Sequence, residues 1–165
     1  RQHPAGVAGG VMAAHRRRQT RDAVATILTG LPDTGSNVFD EPEEERALLE
    51  TELPALRVYT DQESVDIVSV GHPHRQQRVL LLQVDAVVKA AGGWKTALEE
   101  IVKDVEAAMG ASTSTYTAGN LARGGIALRR IVIDRDISTD KPVGVARLTY
   151  EATYFAMSNA PDVAG

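Results

Sequence analysis

The sequence predicts a two-layer α+β domain, with a mostly antiparallel β-sheet and two amphipathic helices packed on one face. Three observations predict it. Two stretches repeat apolar residues at helical spacing, several others alternate apolar and polar residues as strands do, and the order is helix, strands, helix, strand pair. At 165 residues, the chain is long enough for one buried core but too short for two ordinary domains.

Both helices are predicted from an apolar stripe. The first spans about residues 14–28, and Gly30 followed by Pro32 is the usual signal of a helix end. The second follows the Gly92-Gly93 pair and has the clearest stripe in the chain. Its members are Trp94, Leu98, Ile101, Val102, Val105 and Met109.

Six extended stretches are predicted between and after the helices. A short one at 38–39 precedes an acidic segment at 40–52, whose middle is expected to form a helical turn closed by Pro54. Strands follow at 55–60, 65–70 and 78–89, and a final hairpin joins 126–138 to 143–156 through a turn at 139–142. The apolar face of the 78–89 strand is Leu80, Leu82, Val84, Ala86 and Val88.

The predicted domain spans residues 15–157. A flexible N-terminal arm at 1–14 precedes it, and a flexible C-terminal tail at 158–165 follows it. A Ser-, Thr- and Gly-rich stretch at 111–125 is predicted to be a mobile loop. No apolar run approaches the roughly eighteen residues that a membrane span needs, and Arg21 and Asp22 interrupt the only signal-like stretch. We therefore expect neither a membrane span nor export.

The composition argues against several functions. A net charge of −4 gives no general electrostatic reason to bind nucleic acid, and the absence of cysteine removes disulfides, thiolate metal sites and cysteine nucleophiles. No nucleophile elbow and no phosphate-binding glycine motif occurs in the sequence. We predict no catalytic residue, no cofactor and no metal site, and hence a protein that is not an enzyme.

Three local patterns have a functional and a plainer interpretation. His72-Pro73-His74 could bind a transition metal, but an exposed polar loop is the favoured interpretation because no further histidine or cysteine stands at a suitable spacing. The carboxylates of the acidic segment lack the spacing of a calcium loop and are expected to be hydrated. The basic run at 16–21 is expected to be an exposed cluster, with a negative neighbouring subunit as the alternative.

Two stretches and the final hairpin resemble the tail-terminator family of long-tailed bacteriophages, the lambda-type minor tail protein U. The first stretch is Val38-Phe39-Asp40-Glu41, and the second is Leu53-Pro54-Ala55-Leu56-Arg57-Val58-Tyr59-Thr60. The hairpin contributes Asp134-Arg135-Asp136 and the strand at 146–155. The resemblance covers about residues 16–156, and this chain differs by a longer acidic insertion and by the 111–125 loop.

The resemblance implies a structural virion protein with no reaction to catalyse. It implies a hexameric ring that caps the finished tail tube, stops its polymerisation and offers a docking face to head–neck proteins. The partners would be other copies of the chain and the tail tube protein, with DNA passing through the pore without specific binding and no membrane involved. The location would be the virion tail, assembled in the host cytoplasm.

Alternating charges on the last strands predict where subunits touch. The candidate contact residues lie on the sheet face opposite the helices and on the final hairpin, where acid–base complementarity would fix the register of neighbouring subunits. They are Gln83, Asp85, Asp134, Arg135, Asp136, Arg147 and Glu151. Two alternatives stay open: another ring or adaptor protein of the phage neck, tube or baseplate, and a small cytoplasmic enzyme or ligand-binding domain.

Overall fold

The computed structural model describes residues 15–40, 48–111, 125–136 and 142–164. Two helices and six strands occur in these ranges, together with a short 3₁₀ helix at Glu50–Glu52. They are α1 (Arg16–Leu28), β1 (Val38–Asp40), β2 (Ala55–Ile67), β3 (Arg75–Lys89), α2 (Trp94–Ala111), β4 (Ile126–Asp136), β5 (Val143–Met157) and β6 (Ala160–Ala164). No helix in this part of the chain is long and apolar enough to cross a membrane.

The strands form one sheet in the order β1-β2-β3-β5-β4, and β6 pairs with β5. All pairings are antiparallel except that of β1 with β2. The core lies between one face of this sheet and the two helices, which confirms the predicted α+β class. Its members come from β2, β3 and β5 and from both helix stripes: Leu56, Val58, Leu82, Val84, Ala86, Leu148, Tyr150, Val24, Leu28, Leu98, Ile101 and Val105.

The helix α1 buries one narrow stripe on the sheet. Thr20, Val24 and Leu28 recur at four-residue spacing and are fully buried. Gly30 follows with a φ of +92°, a conformation that favours glycine, and this ends the helix where the sequence predicts.

The helix α2 is held to the sheet by the stripe that the sequence predicts, and Gly144 lets it approach β5. A Cβ atom at Gly144 would lie 2.8 Å from Cζ3 of Trp94, closer than side chains pack. The glycine therefore gives the indole ring the space it occupies at the start of α2.

The structure corrects the prediction for β2 and adds a strand that was not predicted. The stretches expected as separate strands at 55–60 and 65–70 form one strand that ends at Ile67, with a bulge between Thr60 and Glu63. The bulge interrupts the apolar–polar alternation, which explains why the sequence suggests two pieces. The expected C-terminal tail carries β6.

Some predictions fall on residues outside the described ranges. They are the N-terminal arm at 1–14, the part of the acidic segment at 41–47, the loop residues 112–124 and the hairpin turn residues 137–141.

Candidate functional site

The sheet has one face covered by helices and one open face. Even-numbered residues of β3 and β5 pack against α1 and α2, so the odd-numbered residues between them point away. Among the described residues, neither helix packs on that second face. It nevertheless contains two buried polar residues, Gln83 and Asp85, with 8% and 6% of the whole residue exposed.

Asp85 is the centre of an ion-paired cluster on the open face. Arg147, its cross-strand partner on β5, donates from Nε to Oδ1 and from a terminal nitrogen to Oδ2, both at 2.8 Å. Tyr59 on β2 donates its hydroxyl to Oδ2 at 3.1 Å. The Arg147 guanidinium also lies 5.9 Å from the centre of the Tyr59 ring. The pairing is bidentate, the strong geometry for arginine and carboxylate.

The electrostatics of this cluster favour one fixed charge state. The hydrogen bonds that Arg147 donates to Asp85 raise the pKa of Arg147, so the guanidinium stays charged. Burial, followed by the negative charge of Asp85, raises the pKa of Tyr59 to about 12, so the phenol stays protonated at neutral pH. In this state neither group is poised to give or accept a proton.

Two further polar contacts line up along the same face. Thr149 donates its hydroxyl to Oε1 of Gln83 at 2.7 Å, and Arg129 donates to Oε1 of Glu151 at 3.1 Å. The Arg129–Glu151 pair is more exposed, at 57% and 29% of the side chains. The middle of the open face therefore has two neutralised pairs of charges, Asp85–Arg147 and Arg129–Glu151.

The structure brings four of the seven predicted contact residues together. Gln83, Asp85, Arg147 and Glu151 lie on the open face of adjacent strands. The other three stand on β4: Asp134, Arg135 and Asp136, opposite Val145, Gly144 and Val143 of β5. They form a separate edge of the sheet and take no part in the Asp85 cluster.

Sequence reasoning missed Tyr59 as a member of the cluster. Its hydroxyl reaches Asp85 because Arg57 pairs with Asp85 and Tyr59 with Gln83 in the register of β2 and β3. The sequence alone carries no signal for that register. The alternation of side chains along β2 does predict that Tyr59 lies on the other face of the sheet from the buried Leu56 and Val58.

A second cluster of the same composition lies on the helix-covered face. Arg78 donates to Oε2 of Glu63 at 3.2 Å, and Tyr154 donates its hydroxyl to Oε1 of the same carboxylate. The Glu63 and Arg78 side chains are 8% and 12% exposed. Arg17 of α1 approaches Glu63 at 3.9 Å. Burial, and then the hydrogen bond to Glu63, raises the pKa of Tyr154.

Three arginines of the basic run at 16–21 lie close to carboxylates of the same chain. Arg17 approaches Glu63, Arg18 lies 3.6 Å from Asp22, and Arg21 contacts Asp40. Burial lowers the pKa of Arg16, which donates to Gln19 at 3.0 Å. A neighbouring subunit is therefore not required to balance these charges.

The remaining local candidates carry no complete site in the described ranges. The rings of His72 and His74 lie 4.0 Å apart, but no group of three or more potential metal ligands occurs there. An open groove of about 610 Å³ lies between α2 and the Leu53-Pro54 segment, with Glu50 and Lys89 paired on its rim.

Comparison with known proteins gives a likeness to solved structures. No protein-family model matches the chain, and no curated protein matches it. Among solved structures, it is similar to a chain described as "Virion of native gene transfer agent (GTA) particle", at 19% identity and a TM-score of 0.40. The match covers 92% of this chain and 100% of the other.

Proposed function

We propose that this chain is a structural virion protein that acts as a tail terminator: a ring that caps the tail tube and stops its polymerisation. One observation carries the proposal. The two stretches that resemble the tail-terminator family are separated by a dozen residues in sequence but lie side by side as paired strands. Val38 pairs with Leu56, Phe39 with Arg57 and Asp40 with Val58.

The charge state of the open face is compatible with this role. Asp85 and Arg147 neutralise each other, and so do Arg129 and Glu151. A protein wall that lets DNA pass needs a surface without a large excess of free cations, because free lysine and arginine side chains bind phosphate. The net charge of −4 for the whole chain acts in the same direction.

The proposal includes the absence of a catalytic role. In the Asp85 cluster of the open face, Arg147 and Asp85 are bound to each other and Tyr59 is held protonated. The features that an acid–base or nucleophilic site needs are an unpaired group of suitable pKa and a reacting position beside it. The open face offers a rigid polar surface for contact instead.

Removing the gene from the virus or particle that encodes this chain tests the proposal. We expect tail tubes of uncontrolled length that fail to join heads, with normal length restored by supplying the chain in trans. Imaging of the purified chain, alone and with the tube protein of the same particle, should show six-fold rings with a pore. Tails of normal length without the gene would contradict tail termination. Normal length combined with unjoined heads would instead indicate a neck adaptor.

A further inference from the structure

The sheet ends in two open edges that lie at opposite ends of the strand order. β1 pairs only with Leu56–Val58 of β2, so the outer half of β2 has no described strand beside it. The outer side of β4 likewise has no paired strand within the described ranges. The two edges are three strand spacings apart, about 14 Å. Exposed edges of this kind offer unpaired N–H and C=O groups to another chain.

The β4 edge is apolar in its middle and has charges of both signs: Arg130 before the apolar residues and Asp134, Arg135 and Asp136 after them. Residues 131–133 (Ile, Val, Ile) are 37–42% exposed. Arg130 and Arg135 are also exposed, and neither makes an ion pair with the described residues. The neighbouring acid, Asp134, accepts from the backbone N–H of Arg135 at 2.7 Å.

The outer edge of β2 is apolar and acidic. Val65 and Ile67 are 44% and 62% exposed. Asp61 and Asp66 are exposed and form no ion pair in the described part of the chain, and no lysine or arginine occurs between Thr60 and Ile67. The two edges therefore match in apolar character, and Arg130 of β4 is opposite in charge to Asp66 of β2.

We propose that β4 of one copy pairs with the outer half of β2 of the next copy, and that this contact joins the subunits of the ring. The proposal rests on the proposed function, since a ring requires two different surfaces on each subunit that meet head to tail. Strand direction is compatible with it. Direction alternates along β2, β3, β5 and β4, so β2 of a following copy would continue the sheet in the antiparallel sense.

Two bulges and the charges define the register. Regular pairing resumes at Arg130 on β4 and at Glu63 on β2. Placing Arg130 opposite Asp66 then places Ile131 opposite Val65. The faces agree, because Ile131 and Val65 both lie on the helix side of their sheets and Arg130 and Asp66 both lie on the open side. Opposite charges and apolar side chains in direct cross-strand positions each stabilise a pair.

A shift of two residues is the competing register. It would place Ile131 opposite Ile67 and Val132 opposite Asp66. Arg130 and Asp66 would then no longer form a cross-strand pair. Charge complementarity therefore selects the first register.

Cysteine cross-linking tests both the contact and its register, because the natural sequence contains no cysteine. In the double variant Val65→Cys with Ile131→Cys, we expect interchain disulfides that produce covalent multimers on non-reducing gels, both in concentrated protein and in assembled particles. The edges lie too far apart within one chain for an internal disulfide, which needs Cα atoms within about 7 Å.

The matched control is Val65→Cys with Val132→Cys. Val132 is as exposed as Ile131, at 37% against 39%, but faces the open side. We expect it to cross-link at least about tenfold less, because its Cβ points away from that of residue 65. Equal cross-linking in both variants, or none with Ile131→Cys in assembled particles, would overturn the edge contact. Preferential cross-linking of Ile131→Cys with Ile67→Cys would overturn the register.

A charge exchange provides an independent readout. Arg130→Asp or Asp66→Arg alone should weaken association about tenfold, and the two together should restore it. Lys103→Glu, the same change in charge on the outer side of α2, should have no effect. One outcome is that the double variant fails to restore association while removal of the gene still gives tail tubes of uncontrolled length. In that case the edge contact is wrong and tail termination stands. If gene removal has no effect on tails, termination itself is wrong.

Discussion

The two faces of the sheet each hold an arginine, a carboxylate and a tyrosine, but in different surroundings. On the helix-covered face, the Arg78 and Glu63 side chains are 12% and 8% exposed. On the open face, Asp85 is 9% exposed but its partner Arg147 is 51% exposed. The Glu63 cluster is thus enclosed by packing. In the Asp85 cluster the carboxylate is buried, while the arginine is hydrated.

This difference shows how an arginine, a carboxylate and a tyrosine can serve two purposes. An enclosed ion pair has lost its water and depends on its partner, whereas a half-exposed arginine can turn back to solvent. The covered cluster is therefore expected to fix the fold, and the open one to present a defined polar surface at small energetic cost. Substitutions in the two clusters separate these roles.

The largest expected effect is at Glu63. Glu63→Ala should lower the free energy of unfolding by about 3 kcal/mol, because it leaves the guanidinium of Arg78 enclosed without its carboxylate. Denaturant unfolding at neutral pH measures this. Glu99→Ala, on an exposed position of α2, should change stability by less than about 0.5 kcal/mol. Similar values for the two variants would show that the covered cluster is not enclosed.

A smaller loss is expected at Asp85. Asp85→Ala should cost about 1–2 kcal/mol, because Tyr59 loses its acceptor while Arg147 can reach water. The comparison is sharpened by repeating the measurement in the assembled ring. A loss in the monomer as large as that of Glu63→Ala would indicate that something covers the open face there.

Arg147→Lys should have a lesser effect, about 0.2–1 kcal/mol, because the charge remains while the bidentate geometry is lost. A charge reversal at Arg147 would instead place two carboxylates together and disturb the fold. Reversal at Arg135, which has no such partner among the described residues, is the cleaner test of assembly. A loss above about 2 kcal/mol for the lysine variant would contradict the hydrated position of Arg147.

The smallest effect concerns Tyr59 at alkaline pH. Its pKa is raised in the fold to about 12, so the folded state keeps a proton that the unfolded state loses near pH 10. This contribution to stability is complete below about pH 10 and is lost as the pH rises toward 12. Tyr59→Phe should remove that part of the decline in the free energy of unfolding. The measurement compares the free energy of unfolding of the two proteins from about pH 9 to about pH 11. Parallel curves would show that Tyr59 ionises normally.

Local patterns predicted the layers better than they predicted the partners of charged residues. The stripes of α1 and α2 and the alternation in β3 and β5 are set by a period within one element, which the sequence displays directly. The Asp85 cluster depends on the register among β2, β3 and β5, and Glu63 and Tyr154 are separated by 91 residues. Such pairings follow from the sheet topology, which no local period encodes.

The bulges illustrate the same limit at the sheet edges. The one in β2 made a continuous strand look like two, and the one in β4 changes which side chains face the helices after Leu128. The alternating charges of the last strands predict that Asp134, Arg135 and Asp136 share a contact surface with Arg147. That grouping stays a prediction, although the structure assigns the first three to an edge and the last to a face.

The close approach of Trp94 to Gly144 gives the protein a built-in optical reporter. The chain has a single tryptophan, located where α2 meets the first residues of β5. Its emission therefore follows the attachment of this helix to the sheet, without a contribution from any other indole. Trp94 also lines a groove with Ile133, Asp134 and Arg135 of the β4 edge, so its emission would report burial at that edge as well as movement between the layers.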